Sequence, residues 1–518
     1  MSPTQSVTDP HFLRDLSAEV TSATGRAFEV RSPVDGGVIA DVPVSDPSDV
    51  TEAFGVARRA QRQWAALPLQ ERSRIILRFH DLVLEHRDEG LDIVQWETGK
   101  ARKDALEDLL DVCVTARHYA RDSARLLRPR RVRSPFPGMI SVTRYQHPKG
   151  VVGIIAPWNY PLTLAVSDAI PALLAGNTVV VKPDTQTTLT ALWVLRLLHL
   201  AGLPSGVLSV VAGDGAELGP VIVDNADFIM FTGSTRVGRL IAEQCGRRLI
   251  GCSLELGGKN ALIVRADADV ERASEVAVRA VYANSGQLCI AMERIYVHRD
   301  IYDRFVPRFV ERVKAMRVRV MVGWGSDMGS LISARQLHTV QSHVEDAVAK
   351  GATVLAGGRP RPDLGPYVFE PTVLVDVTED MIVCRHETFG PVVSIYPIDS
   401  DDQAIARAND SDYGLNASVL TSDLRVGRQM AARIHAGTVN VNEGYAPAWA
   451  ATRAPMGGMR DSGLGRRHGD EGLLKYTESQ TVGVQRILGF GPPFGWSDRR
   501  WGDSLTLTVK AMKKLGVR

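Results

Sequence analysis

Cysteine is scarce in this chain. Five thiols, Cys113, Cys245, Cys252, Cys289 and Cys384, are spread over 518 residues, with no CxxC pair. The odd number and wide spacing exclude a disulfide framework and a zinc site, predict no bound metal, and suit a reducing, cytoplasmic setting. An excess of charge is also missing. There are 61 basic and 59 acidic residues, a net +2, and the one basic knot, RLLRPRR at 125–131, reads as a solvated turn before a strand, so no nucleic-acid partner is expected. A long apolar run is absent too. The most leucine-rich stretch, 189–203, contains Arg196 and His199 and reads as a buried helix, not a membrane span. Asp and His occur in the first twenty residues, where a signal peptide needs an apolar stretch. What remains is ordinary globular composition, 44% hydrophobic and 23% charged, in a chain long enough for about two to four domains.

Helical patterning runs from about Ala53 to Leu127, with Trp64, Leu67, Ile75, Leu77, Phe79 and Leu82 among its apolar positions. Beyond about residue 150 the pattern changes. Short apolar runs at 151–156, 178–182, 207–212, 228–232 and 253–256 alternate with helical stretches at 162–175, 187–201, 216–223 and 236–245. Runs this apolar predict parallel strands covered on both faces. The domain is therefore a doubly wound α/β fold, which binds ligands at the carboxyl ends of its strands. A second α/β stretch follows, with strands at 294–297, 392–397 and 439–441 and a helix at 301–313. The tail after about 488 is rich in Gly, Pro and Trp. It ends with Leu505, Val509 and Met512 on one helical face. It reads first as a helix packed on the protein's own surface, with a membrane-surface helix as the other reading.

Several residues are placed to carry chemistry. Cys289 closes Ser285-Gly286-Gln287-Leu288-Cys289, a polar, glycine-containing segment that can present a thiol in a cleft; otherwise it is a small buried side chain. Glu255 ends a strand between Leu254 and Leu256 and precedes Gly257-Gly258. Apolar neighbours raise a carboxyl pKa toward the range of a general base; the alternative is an outward-facing strand residue. Asn159, between Pro157 and Pro161, is either an oxyanion donor or a helix cap. Lys182 ends the next strand, suited to a ribose or phosphate or simply solvated. The Phe231-Thr232-Gly233-Ser234 turn opens a helix whose N-terminus can hold an anion.

In order along the chain, PWNYP (157–161), VVKP (180–183), FTGSTRVG (231–238), LELGGKN (254–260), SGQLC (285–289), ETFGPVV (387–393), NDSDYGL (409–415) and GGMRDSG (457–463) resemble the aldehyde dehydrogenase superfamily, from about Arg31 to Gln485. The resemblance implies a Rossmann-like cofactor domain, an α/β catalytic domain and a small β extension for oligomerisation. The expected boundaries are 1–125 with 148–258 for the cofactor domain and 259–480 for the catalytic domain. The oligomerisation strands fall at 126–147 with 481–490, and 491–518 forms a tail of unassigned role. It implies a homodimer or homotetramer.

It also implies roles. Cys289 is the nucleophile; Asn159 and the Cys289 backbone N–H receive the oxyanion; Glu255 activates the water that hydrolyses a thioester. Glu387 and Lys182 hold the two riboses of the cofactor. Trp158, Asn159, Pro183, Asp184, Thr185, Gly233, Ser234, Leu256 and Phe389 line its channel. Family members that prefer NAD carry Glu three positions after the Lys; here Thr185 stands there, so NADP is favoured, with NAD the alternative and acidic Asp184 opposing the choice. The chain most resembles the NADP-linked bacterial succinate-semialdehyde dehydrogenase branch. That branch places two arginines on the substrate carboxylate, where Ser167 and Ala283 stand here; Arg453 is a loose substitute. Succinate semialdehyde is the candidate substrate, although the physiological aldehyde can differ. Ala291 replaces a second cysteine, so no local regulatory disulfide is expected at Cys289. Two other readings are a cofactor-independent thiol hydrolase and a non-catalytic protein that keeps the fold.

Overall fold

The computed structural model describes residues 9–133, 140–487, 489 and 491–516. A hairpin, β1 (Ala27–Arg31) and β2 (Val38–Pro43), precedes four helices, Pro47–Ala66, Leu69–Glu85, Arg87–Thr98 and Arg102–Leu127. The first starts at a reciprocal cap between Asp46 and Asp49. The third stops at Gly99, whose φ of +68° is the left-handed conformation that ends helices.

Strands β3 (Arg130–Val132) and β4 (Ile140–Pro148) lead into β5 (Val151–Ile155), β6 (Thr178–Lys182), β7 (Leu208–Val210), β8 (Phe228–Thr232) and β9 (Gly251–Glu255). Strands β5 to β9 are parallel, in the order β9-β8-β5-β6-β7. Val152, Ile154, Val179 and Val181 are buried, because helices cover both faces. The doubly wound domain read from the sequence is present.

One expected helix is broken. Residues 161–174 form two short helices, Pro161–Val166 and Ala169–Leu174. Pro171 lacks an N–H and would crowd the Ser167 carbonyl in a continuous helix, so the chain resets at Ser167-Asp168. That reset turns both residues toward the site described below.

The second sheet holds β10 (Asn260–Val264), β11 (Met292–His298), β12 (Thr353–Ala356), β13 (Thr372–Val375), β14 (Val392–Ile398), β15 (Asn416–Leu420) and β16 (Thr438–Val441). Its order is β12-β13-β14-β11-β10-β15-β16, parallel except for the β12–β13 edge. Residues 256–259 carry the chain directly from one sheet to the other. A two-residue strand, β17 (Gly463–Leu464), returns to pair antiparallel with β9 at Glu255 and Leu254. A third sheet, β18 (Thr477–Gln485) with β4 and β3, is antiparallel. Its Val132, Val482 and Val484 are exposed. Residues 134–139 of the expected extension, and 488, 490, 517 and 518 of the tail, lie outside the described residues.

The tail helix, Asp498–Lys514, has no buried residue. The expectation that it packs on the protein's own surface is therefore corrected. Of the face formed by Leu505, Val509 and Met512, Val509 is exposed and the other two are only half-buried, and Leu507 on another side is exposed. Among the described residues no helix is long and apolar enough to cross a membrane.

Candidate active site

The junction of the two sheets gathers the residues singled out in the sequence. Cys289 follows Asn284, Ser285 and Gly286, which take φ of +49°, +56° and +72° in succession. Three consecutive left-handed residues are a strained arrangement that surrounding contacts must hold. Asn260, at the start of β10, supplies one such contact. Its Nδ2 donates to the carbonyls of Cys289 and Ala291, each at 2.7 Å. Gln287 contributes too: its Oε1 accepts from Ile332 N–H at 3.0 Å.

Cys289 is half-buried on the wall of a cavity, with Asn159 on the same wall. Desolvation pushes the thiol up to about 12; the Arg467 guanidinium pulls it down, and Glu255 and Glu387 push it further up. Asn159 does not act as a cap: the helix after it has no side-chain cap bond. Its Nδ2 donates to Gln287 O at 3.2 Å and has a second N–H to offer the cavity. Its own carbonyl accepts from Lys100 Nζ at 2.6 Å and Asn284 Nδ2 at 2.9 Å, which fixes the turn after β5.

Glu255 sits at the carboxyl end of β9 and is buried, so the outward-facing alternative fails. Desolvation pushes its carboxyl up to about 7, against the pull of Arg467 and Lys475. Its Oε1 has no hydrogen-bond partner. A carboxyl that is half-ionised near neutrality with a vacant acceptor can take a proton from water.

Beside this lies a second set of residues. Lys182 is buried at the end of β6, and its Nζ donates to Pro183 O at 3.0 Å. Asp184 spends its carboxylate on its own turn, accepting from Gln186 N–H, and Thr185 opens that turn half-buried. Gly233 N–H donates to Glu255 O at 3.0 Å, and Ser234 caps the helix Thr235–Arg248. Leu256 is buried against Gly238. From the other domain, Glu387 accepts from Gly258 N–H at 2.8 Å, and a Cβ on Gly257 would strike its carboxylate. Phe389, at φ +52°, meets Trp158 edge-on at 5.5 Å. The 387–389 loop is clamped by Glu293, which accepts from Thr388 and Phe389 N–H and pairs with Lys259.

Arg453 is not in the cavity. Its side chain is 81% exposed and pairs with Asp122. Arg467 lines the wall instead, ion-paired to Asp168, which also draws Lys475 at 3.4 Å. Ser167 is in the wall and donates to Asp111, whereas Ala283 is buried behind it. Sequence reasoning passed over Arg467, Lys100, Asn260 and Glu293. The first sits in Arg466-Arg467-His468, a cationic run just after a glycine-rich segment, which was the available signal.

Residues 20–482 match the model of the aldehyde dehydrogenase family. A protein of Mycolicibacterium smegmatis with the provisional name succinate-semialdehyde dehydrogenase [NADP(+)] is 52% identical over 513 residues, 99% of each chain. Among solved structures, an NAD+ complex of an aldehyde dehydrogenase from Bacillus cereus superposes with a TM-score of 0.86 at 36% identity, covering 90% of this chain and 94% of that one. An E. coli NADP-dependent enzyme superposes with a TM-score of 0.86 at 32% identity, covering 90% and 96%. With a family match over residues 20–482 and a relative 52% identical along nearly its whole length, the chain belongs to the aldehyde dehydrogenase family.

Proposed function

We propose that the chain oxidises an aldehyde to a carboxylic acid with NADP as acceptor. The observation that carries this is that Cys289 and Asn159 share one cavity wall, with the Glu255 and Glu387 carboxyls near enough to push the Cys289 thiol up; Lys182 and Ser234 lie at the carboxyl ends of β6 and β8. The fit to a dinucleotide is supported by the close approach of backbone at Gly257 to Glu387, and by the helix N-terminus at Ser234. Lys182 and Thr185 would face the 2′-phosphate, with Asp184 turned to its own backbone. Trp158, Pro183, Gly233, Leu256 and Phe389 would line the channel.

Cys289 gives up its thiol proton to solvent water as Sγ attacks the carbonyl carbon, and a thiohemiacetal forms. Asn159 Nδ2 and the Cys289 N–H donate to the oxygen that gains charge. The chemistry NADP supplies when bound is hydride acceptance, which leaves a Cys289 thioester. Glu255 then takes a proton from water, whose oxygen attacks the thioester and releases the acid and the thiol. Succinate semialdehyde, the substrate in the relative's name, is the starting candidate. The exposed valines of the β18-β4-β3 sheet suit pairing between subunits of a homodimer or homotetramer, and five free thiols suit the cytoplasm.

The test is NADPH absorbance when the protein meets aldehyde and NADP, with Cys289→Ala as control. NADPH formation that persists undiminished in the variant would overturn the nucleophile. Aldehyde consumption or ester cleavage without NADPH would favour the hydrolase.

A further inference from the structure

The wall of the Cys289 cavity is uneven in charge. Glu107, Asp111 and Asp168 place three carboxyl groups on it, against one guanidinium, Arg467; burial pushes the Glu107 and Asp111 carboxyls up, and a cation beside them favours their ionised form. Arg467 is already committed to Asp168. Glu107 and Asp111 form no ion pair with a Lys or Arg among the described residues. Glu107 accepts from Tyr445 Oη at 3.0 Å, and Asp111 from Ser167 Oγ at 2.7 Å. Each keeps acceptor capacity for a ligand.

The hydrogen-bond capacity is uneven in the same sense. Three buried atoms of wall residues lack partners: His468 Nδ1, Asn159 Oδ1 and Tyr160 Oη. Desolvation drives His468 down to about 4, so the ring is neutral, and its Nε2 faces Asp111 Oδ1 at 4.0 Å. With the proton on Nε2, Nδ1 is a bare acceptor. Two of the three vacancies are thus acceptors, and the third, a hydroxyl, can accept. Tyr445 and Trp449 add aromatic faces, which attract cations.

We propose that this cavity selects aldehydes that carry a protonated amine at the end away from the carbonyl, with Glu107 and Asp111 as specificity-determining residues. An ammonium brings three N–H donors and a positive charge to the Glu107 and Asp111 carboxyl groups, which have no Lys or Arg partner among the described residues. A carboxylate brings acceptors only, and a further negative charge. The inference rests on the aldehyde-oxidation reading and narrows its substrate class, making succinate semialdehyde a poor substrate.

The full-length protein is assayed with NADP and four aldehydes: 3-aminopropanal, 4-(trimethylammonio)butanal, butanal and succinate semialdehyde. We expect kcat/KM for 3-aminopropanal to exceed that for butanal and succinate semialdehyde by about tenfold or more, with the trimethylammonio compound, charged but without N–H donors, in between. Butanal or succinate semialdehyde equal to or better than the amine overturns the inference. NADPH from none of the four overturns the oxidation reading itself, and the inference falls with it. In Glu107→Gln and Asp111→Asn the amine-to-butanal ratio is expected to drop about fivefold or more, through KM. A ratio unmoved in both overturns the assignment of these residues; if Asp111→Asn does not fold, Glu107→Gln and the wild-type panel decide.

Discussion

Glu255→Gln separates the two halves of the reaction. The substitution keeps side-chain volume, and Oε1 has no partner to lose, so the fold is expected to hold. What it removes is the base. General-base assistance is worth about 10²–10⁴-fold in rate, so thioester hydrolysis slows by that factor while attack and oxidation continue. Mixing the variant with aldehyde and NADP in a stopped-flow instrument should give a burst of about one NADPH per site, then near arrest. The pH dependence follows from the same residue. Burial places its carboxyl at about 7, and only the ionised form accepts a proton. The ionised share is about one-eleventh at pH 6 and about ten-elevenths at pH 8, so wild-type turnover limited by hydrolysis rises roughly tenfold across that window. The Gln variant loses this limb. A variant that turns over at more than about a third of the wild-type rate, without a burst, would refute the assignment of Glu255 as base.

Cys289→Ala should lower kcat by about three orders of magnitude or more while the protein still binds NADP, measured by quenching of tryptophan fluorescence on titration with the cofactor. Thr185→Glu places a carboxylate beside the buried Lys182; we expect KM for NADP to rise about tenfold or more and KM for NAD to change less, in steady-state kinetics with both cofactors. Gly286→Ala introduces a Cβ at φ +72° that would collide with the Gly390 carbonyl; a loss of about 2–4 kcal/mol, seen as a lower Tm in calorimetry, is expected. Asn260→Ala should release the Cys289 carbonyl and cut kcat about tenfold or more, while a Tm unchanged within a few degrees would accompany a purely positional role.

The parts of this molecule legible in the sequence are those where a local pattern has one physical cause. Buried parallel strands need apolar residues on both faces, so β5, β6, β8 and β9 showed as apolar runs. A carboxyl between two leucines at a strand end invites desolvation, and Glu255 is indeed buried. What stayed hidden are contacts between distant segments. Arg467 reaches Asp168 across 299 positions, and Glu293 reaches the 388–389 amides across about a hundred. No periodicity reports such pairs. The Arg453 expectation failed for this reason, since proximity in sequence to a glycine-rich segment says nothing about which side chain turns inward. The break at Ser167-Asp168 is intermediate. Pro171 was there to announce it, but where the freed residues point depends on Asp111 and Arg467, which belong to other elements. The specificity of the cavity rests on that second kind of information. A chain can therefore declare its reaction in local motifs while its choice of aldehyde is written in the charge balance of walls assembled from five separate stretches, around residues 107–119, 159–171, 288–290, 445–456 and 467–472. Substitutions at wall positions other than Asn159 and Cys289 should move substrate preference while Cys289, Asn159 and Glu255 keep their places.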